Sequence, residues 1–224
     1  MRKQRYLTLE KRLSVPFWTK LAVPLASIVA GFLFSAIFLL ISGESPIEVY
    51  SVMFEGAFGS AYGLSETVVK MIPLMIISVG VAFAFKMQIW NAGGEGQLHI
   101  GAAAATYVVL HLNGCSRFVT VLLAFLAAFI CAGIYGLIPA ILKVKWKVNE
   151  LITCLMLNYV ATFFVAWLIQ GPWKDPTGFA FPRTRKIPSA GELTTFFGTR
   201  IHTGLIIGLA IALVLWFVIY KTRW

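Results

Sequence analysis

The stretch FVTVLLAFLAAFICAGIYGLIPAIL, residues 118–142, contains no charged side chain. A helix needs about 20 consecutive apolar residues to cross the roughly 30 Å hydrocarbon core of a bilayer. Inside lipid an α-helix is favoured because it satisfies its backbone polar groups internally. The stretch is long enough, and we therefore predict that it crosses a membrane as an α-helix.

Similar apolar runs lie on both sides of this stretch. Three of them also lack charged residues: 21–43, 151–173 and 201–220. A shorter run, 71–85, lies between two lysines whose long side chains can extend to the membrane surfaces. The run 98–112 becomes long enough if its helix begins near Gly94. The sequence therefore predicts an all-α, polytopic transmembrane bundle with about six spans.

The composition of the whole chain agrees with a membrane protein. Of its 224 residues, 59% are hydrophobic and 12% are charged, and the mean hydropathy is +0.83. Soluble domains are less apolar and more charged. The formal net charge of +10 is distributed between the apolar runs rather than gathered in one patch. We therefore expect membrane lipid, and no nucleic acid, as a partner.

The distribution of lysine and arginine predicts a cytoplasmic N-terminus. In that orientation residues 1–20 are a basic cytoplasmic segment and residues 21–224 form one transmembrane domain with outer loops at 44–67 and 171–200. The first apolar run is too long for a cleaved signal peptide. The basic residues of the loop 171–200 offset part of the rule. This loop is either a docking surface for an external partner or a solvated loop.

A short amphipathic helix is predicted in the first outer loop, from Ser45 to Gly59. Ser45 and Glu48 have the spacing of a capping box, in which each side chain accepts a hydrogen bond from the other residue's backbone N–H. Pro46 suits the first helical turn. We expect this helix to lie flat on the outer membrane surface or on the bundle.

The segment KMQIWNAGGEGQLHIG, residues 86–101, interrupts the apolar pattern. Its glycines allow the backbone to bend, and its polar residues are unusual near membrane depth. Non-helical backbone is tolerated there only where protein or a water-filled cavity covers it. We therefore predict a broken or re-entrant element near residues 87–97. The candidates for lining a substrate path are Asn91, Glu95 and Gln97.

Glu95 has two interpretations. If a helix begins around this residue, the positive end of the helix dipole favours its carboxylate, and transporters use such helix ends to line substrate paths. The alternative is a polar cytoplasmic turn in which Glu95 only caps the helix. Gly93 and Gly96 beside it are assigned a structural role.

Further polar residues lie in or next to the run 151–173. Asn149 and Glu150 precede it beside several lysines, and we expect them to cap the helix. Asn158 lies near mid-membrane, where a polar group is costly and tends to face the bundle interior. It is a candidate for the substrate path, and an interhelical hydrogen bond is the alternative. No metal site is predicted.

The residues of the interrupting segment also resemble a family motif. WNAGGEGQ, residues 90–97, is similar to the Phe-Asn-Ile-Gly-Ala-Glu-Gly-Gln signature of ABC permeases in the simple-sugar and nucleoside branch, relatives of the ribose and branched-chain amino-acid permeases. The matching positions are Asn91, Gly93, Glu95, Gly96 and Gln97. The positions that differ from the signature are Trp90, Ala92 and Gly94. The resemblance extends to FEGAFGS (54–60), VNELITCLMLNY (148–159) and GPWKDP (171–176).

The resemblance implies a bacterial inner-membrane permease subunit that is not itself an enzyme and holds no cofactor. Such a subunit pairs with a second permease subunit and is powered by ATP bound to a separate ATPase subunit. An extracytoplasmic substrate-binding lipoprotein delivers the solute, which the resemblance suggests is a nucleoside or a simple sugar. The family is also expected to continue beyond Trp224, so the sequence is interpreted as an N-terminal part of a longer protein.

Three other functions remain open at the level of sequence. A permease for branched-chain amino acids fits the same family. An ion-coupled secondary transporter would use Glu95 as a protonatable group and need no ATPase. A membrane-embedded enzyme would require His99, Glu95 and Glu150 to converge, and the sequence gives no such geometry.

Overall fold

The computed structural model describes residues 16–112, 114–178, 182–196 and 198–221. Seven α-helices lie in these ranges: α1 (Phe17–Ile41), α2 (Pro46–Phe58), α3 (Ala61–Lys86), α4 (Gly94–His111), α5 (Arg117–Trp146), α6 (Glu150–Gln170) and α7 (Gly204–Lys221). A short 3-10 helix, Ser189–Gly191, precedes α7. Within the same ranges no β-strand forms, and the extended backbone makes two isolated antiparallel bridges. The predicted all-α, polytopic class is confirmed.

Five of these helices are long and apolar enough to cross a membrane, where about six were predicted. They are α1, α3, α5, α6 and α7. The exception is α4, because its 18 residues begin with the polar sequence GEGQLH. This helix nevertheless contacts α3, α5 and α6. Its neighbours, rather than its own composition, account for its position.

Residues 1–60 form a first compact unit, of which α1 and α2 are described. The Tyr50 hydroxyl of α2 donates a 2.7 Å hydrogen bond to the Phe32 carbonyl of α1, and the two rings meet edge to face at 5.2 Å. Most of the predicted basic segment, residues 1–15, lies outside the described residues. The first helix begins at Phe17 rather than near Leu21.

The capping box predicted at the start of α2 is wrong. Ser45 occupies the N-cap position, but its side chain makes no capping hydrogen bond. Pro46 is the first helical residue, as expected, and its fixed φ angle suits that position without a side-chain cap. Glu48 lies in the first turn, where the positive end of the helix dipole stabilises a carboxylate.

Residues 61–224 form a second compact unit, in which α4 packs closely against α5 and α6. Gly101 of α4 faces Ala128 and Ala132 of α5, and a Cβ atom at Gly101 would lie 3.4 Å from the Ala128 carbonyl oxygen. On α6, Ala161 is completely buried. Small residues thus allow these helices to approach closely, as is typical of helix packing in membranes.

The helices α3 and α7 run side by side in the same direction. Gly208 of α7 lies against α3, where an added Cβ atom would come within 2.9 Å of Met75 Cε and 3.2 Å of Ile76 Cγ1. Glu66 and Arg200 form an ion pair of 2.9 Å near the first residues of both helices. Because α3 starts at Ala61, the last part of the predicted outer loop 44–67 is helical.

The second unit has two ends that differ in structure. We call one the break end; it contains residues 87–93, the turn between α5 and α6, and the end of α7. We call the other the loop end; it contains the described residues of the segment 171–203 and the adjacent helix ends. At the loop end the Arg117 guanidinium donates from Nε to the Glu192 carbonyl at 2.7 Å, and Nη2 donates to the same oxygen. This contact holds the loop against the start of α5.

The contact at Gly208 predicts the effect of a substitution on stability. Leucine at this position would overlap Met75 and Ile76, so G208L should destabilise the second unit by about 1–3 kcal/mol. The control is G80L, because a Cβ atom at Gly80 meets no atom within 4 Å. Thermal unfolding of the purified protein in detergent should give a lower Tm for G208L alone. Equal Tm values for the two variants would contradict the proposed helix contact.

Candidate functional site

The candidate site is built around the interruption between α3 and α4. Helix α3 ends at Lys86, residues 87–93 are not helical, and the chain resumes as a helix at Gly94. Gln88 adopts a left-handed backbone conformation with φ of 58°. The break predicted near residues 87–97 is therefore confirmed, and its last residues belong to the first turn of α4.

Asn158 of α6 connects the break to a neighbouring helix. Its Oδ1 accepts a 2.9 Å hydrogen bond from the Gly96 N–H, and its Nδ2 donates a 3.0 Å bond to the Ala92 carbonyl. The first N–H groups of a helix have no partner within the helix, and a broken backbone likewise leaves carbonyls free. One amide side chain thus satisfies a donor and an acceptor on either side of the helix start.

Gly96 is required by the same contact. A Cβ atom at this position would lie 2.8 Å from Asn158 Oδ1 and 3.2 Å from Asn158 Cα. It would also lie 3.2 Å from the Tyr135 ring, while the Tyr135 hydroxyl donates to the Leu157 carbonyl at 2.6 Å. Any larger residue would therefore push α4 away from α6.

Asn91 shapes the backbone of the break. Its Oδ1 accepts a 3.0 Å hydrogen bond from the Gly93 N–H and also faces the thiol of Cys154, whose Sγ lies 3.8 Å away. A Cβ atom at Gly93 would lie 3.1 Å from Asn91 Oδ1 and 3.3 Å from Cys154 Sγ. Because Gly93 has no side chain, the break can lie against α6.

Gln97 is directed towards α5. Its Nε2 would lie 2.8 Å from a Cβ atom at Gly136, so the amide group packs against the bare backbone of that glycine. The structure therefore separates the candidate path residues. Gln97 packs between α4 and α5, and Asn91 and Asn158 form hydrogen bonds within the break and with its neighbours.

Glu95 has a different environment. Its side chain is exposed and, among the described residues, makes no hydrogen bond or ion pair. It lines a recess of about 280 Å³ together with four residues of α6: Leu155, Asn158, Tyr159 and Thr162. The carboxylate lies in the first turn of α4, where the helix dipole favours a negative charge. The structure thus brings Glu95 and Asn158 to one concave surface.

Thr162 is a recess residue that the sequence argument did not select. It follows Asn158 by one helical turn and donates through Oγ1 to the Asn158 carbonyl at 2.9 Å. Positions 155, 158, 159 and 162 share one face of a helix. This spacing was available in the sequence once Asn158 had been chosen.

A second cavity, of about 430 Å³, lies at the break end. Its lining is largely apolar and includes Asn91 and Cys154, with Lys143 and Glu150 also contributing. Lys143 Nζ and Glu150 Oε1 form an ion pair of 2.5 Å that joins α5 to the start of α6. Asn149 is the N-cap of α6, and its Oδ1 accepts from the N–H groups of the next two helical residues, Leu151 and Ile152.

Within the described ranges, no three His, Cys, Asp or Glu side chains are grouped so that they could hold a metal ion.

The two hydrogen bonds of Asn158 predict the effect of removing its side chain. N158A would leave the Gly96 N–H and the Ala92 carbonyl without these partners, and should cost about 1–3 kcal/mol of stability. The matched control on α6 is T153V, because the Thr153 hydroxyl bonds only to the Asn149 carbonyl of its own helix end. Thermal unfolding in detergent should give a lower Tm for N158A than for T153V. Equal unfolding temperatures for N158A and the unsubstituted protein would show that Asn158 does not support the break.

Comparison with known proteins matches the second unit to a transporter family. A family model described as the permease component of branched-chain amino acid transport systems matches residues 63–224. A glucose ABC transporter permease of Haloferax volcanii is 32% identical over 97% of this chain and 60% of its own length. A guanosine ABC transporter permease of Bacillus subtilis is 34% identical over 90% of this chain and 58% of its own length.

A nucleoside ABC transporter permease of Lactococcus lactis is 34% identical over 67% of this chain and 42% of its own length. The chain thus spans at most 60% of the length of these three relatives. No solved structure matches the chain. Permeases of this family are transport components rather than enzymes. The family match over most of the chain and the membrane-spanning helices together show that the protein belongs to the ABC permease family, in the branch of the sugar and nucleoside permeases.

Proposed function

We propose that the chain forms part of the translocation path of an ABC importer for nucleosides or simple sugars in the bacterial inner membrane. The observation that carries this proposal is the recess beside Glu95. It is lined by a carboxylate, an amide, two hydroxyl-bearing residues and a leucine, and by no cation. Neutral solutes rich in hydroxyl groups are recognised by such hydrogen-bonding side chains. Three relatives, named as permeases for glucose, guanosine and nucleosides, support the same class.

The recess residues have different proposed roles. Glu95 has no other polar partner among the described residues, so its carboxylate is available to accept hydrogen bonds from solute hydroxyls. Tyr159 is exposed and offers both a ring and a hydroxyl. Asn158 uses its oxygen and its nitrogen on the backbone of the break, and we assign it a positioning role. Asn91 and Gln97 are likewise assigned to positioning.

A second permease subunit would complete this recess. Its volume of about 280 Å³ lies just below the range of about 300–1,000 Å³ typical of small-molecule sites. It is lined by only two helices of this chain, and Tyr159 at its edge is 64% exposed. A facing subunit would enclose the solute from the open side.

The break end is proposed to face the cytoplasm and a separate ATPase subunit that binds ATP. Five lysines lie at or near this end: Lys86, Lys143, Lys145, Lys147 and Lys221. The six basic residues of segment 1–20 are assigned to the same side, and the eleven together outnumber the seven assigned to the outside. An excess of basic residues is typical of the cytoplasmic side. This orientation also places the N-terminus in the cytoplasm, because two crossings, α1 and α3, separate it from the end of α3.

The loop end is proposed to face outwards, although it also contains many basic residues. Three arginines at this end have partners within the chain: Arg117 bonds the Glu192 carbonyl, Arg183 pairs with Asp175 at 3.2 Å, and Arg200 pairs with Glu66. Their charges hold the loop together. Part of the unexpected positive charge outside therefore has a structural explanation.

The loop itself is ordered by Asp175. Its carboxylate accepts hydrogen bonds from the Thr177 hydroxyl at 2.7 Å and the Thr177 N–H at 3.0 Å. The Thr177 hydroxyl above all, with its N–H and the Arg183 guanidinium, holds the pKa of Asp175 below its usual range. The carboxylate therefore stays ionised at neutral pH. Its stabilising contribution to the folded loop is lost only as the pH falls through that lowered pKa.

The side chains of three basic residues of the loop make no hydrogen bond or ion pair within the part of the chain that the structure describes. They are Lys174, Arg185 and Lys186, and all three are exposed. Lys174 lies opposite Thr184 in an antiparallel bridge, so the three cations lie close together on the loop. We propose that they bind an acidic surface of the extracytoplasmic substrate-binding lipoprotein.

Substitution of Glu95 tests the translocation proposal. In cells that lack the chromosomal gene and express the complete transporter, E95Q should lower uptake of labelled nucleoside or sugar roughly tenfold, because a charge-assisted hydrogen bond is weakened. The control is E48Q, which removes an exposed carboxylate on α2. Protein amounts are compared on membrane blots.

The same uptake assay separates the alternative functions. Loss of leucine uptake with unchanged nucleoside and sugar uptake in the deletion strain would favour a branched-chain amino acid permease. Transport that persists after the ATPase gene is removed and follows the proton gradient would favour a secondary transporter. Normal solute uptake by E95Q would remove Glu95 from the path.

Charge reversal in the loop tests the docking proposal. The double variant R185E/K186E should weaken binding of the purified lipoprotein to the transporter in nanodiscs about tenfold at low salt. The difference should shrink at high salt because exposed charges are screened. The control is K145E at the opposite end of the second unit. Equal lipoprotein affinities for R185E/K186E and K145E would exclude this surface.

A further inference from the structure

A groove between α3 and α7 ends at a lysine. The groove has a volume of about 470 Å³. Away from the break end its walls are apolar, with Val79 and Ala82 on α3 and Leu209 and Leu213 on α7. Its mouth at the break end is lined by different side chains: Lys86, Trp216 and Tyr220. The groove therefore combines an apolar interior with a basic and aromatic rim.

The ammonium group of Lys86 is held in place at this rim. Nζ donates a 2.8 Å hydrogen bond to the Ile219 carbonyl and lies 4.5 Å from the centre of the Tyr220 ring. The Ile219 carbonyl belongs to the last turn of α7, whose carbonyls lack partners within the helix. A lysine ammonium has three donors, so this arrangement leaves donor capacity for an anion. Lys221, the next residue after Tyr220, adds a second positive charge.

The length of the groove matches one leaflet of a membrane. From Leu209 to Tyr220 the helix rises about 16 Å at roughly 1.5 Å per residue. Half of the hydrocarbon core of a bilayer is about 15 Å thick. An acyl chain that starts at the mouth of the groove would thus reach the level of Leu209 near the bilayer centre. Tryptophan and tyrosine are enriched at the level where lipid headgroups begin.

We propose that this groove binds one anionic phospholipid, with its phosphate at Lys86 and an acyl chain along α3 and α7. Basic pockets between membrane helices on the cytoplasmic side are suited to anionic headgroups. A zwitterionic headgroup would bring its own cation next to Lys86 and Lys221, so the charge of the rim favours a lipid such as phosphatidylglycerol. The proposal is independent of the solute that is transported.

Native mass spectrometry of the complete transporter in mild detergent tests the site. The unsubstituted complex should retain phosphatidylglycerol at one molecule per copy of this chain, and K86Q should lower its affinity about fivefold, as expected for one basic residue near an anionic surface. The variant K86R keeps the positive charge and should bind phosphatidylglycerol like the unsubstituted complex. K70Q is the matched control, since Lys70 is an exposed lysine nearer the opposite end of α3. Equal lipid retention by K86Q and K70Q would overturn the proposal.

Fluorescence quenching reports whether the lipid lies in the groove. Trp216 lines it, and the difference between the unsubstituted protein and W216F isolates the signal of this residue. Brominated phosphatidylglycerol should quench that signal more strongly than brominated phosphatidylcholine, and K86Q should abolish the preference. Equal quenching by the two lipids, or no quenching of Trp216 because another protein segment covers the groove, would contradict the proposed occupant.

Discussion

The structure of the second unit depends on how the backbone polar groups of the break are satisfied. In a membrane a free N–H or carbonyl costs several kcal/mol, so a non-helical segment persists only where other groups bond to it. Asn158 supplies both functions from one side chain, accepting from Gly96 and donating to Ala92. Because Gly96 lacks a Cβ atom, α4 can approach α6 closely enough for these bonds to form. The break is therefore a defined element of the fold with specific partners.

The hydrogen bonds of Asn158 to Gly96 and Ala92 determine which way Glu95 faces. Gly96 faces α6 and is buried, whereas Glu95, one residue earlier and about 100° around the helix, is exposed towards the recess. The backbone of Glu95 is therefore held in the first turn of α4, while its carboxylate makes no hydrogen bond within the described residues. Residues that hold the break and a residue that we propose to face the solute path are thus adjacent in sequence but differ in role.

Much of this architecture follows from the sequence, and the failures have physical causes. Long uncharged runs predict α1, α5, α6 and α7, and a shorter run between two lysines predicts α3, because apolar runs of this length are suited to cross a bilayer as helices. Helix α4 is polar at its start, and only its contacts with neighbouring helices account for its place. The roles of Asn91, Gln97 and Asn158 could not be separated, since the sequence shows an amide but not the direction in which it points. At Ser45 the motif was present but the capping bonds did not form, because a proline already provides a suitable first turn.

The distribution of charge at the loop end shows why counting basic residues gives an ambiguous orientation. The positive-inside rule counts every lysine and arginine in short loops and near the helix ends, whatever these side chains contact. Arg183 and Arg200 have carboxylate partners, and Arg117 donates to a backbone carbonyl, so in the folded protein these three guanidinium groups act within the chain. At the break end Lys143 is in an ion pair and Lys86 donates to the Ile219 carbonyl, so among the described residues the side chains of Lys145, Lys147 and Lys221 have no such partner. The side chains of Lys174, Arg185 and Lys186 at the loop end likewise have no such partner, so the two ends of the second unit carry equal numbers of these cations. The assignment of the break end to the cytoplasm therefore depends on the six basic residues of segment 1–20.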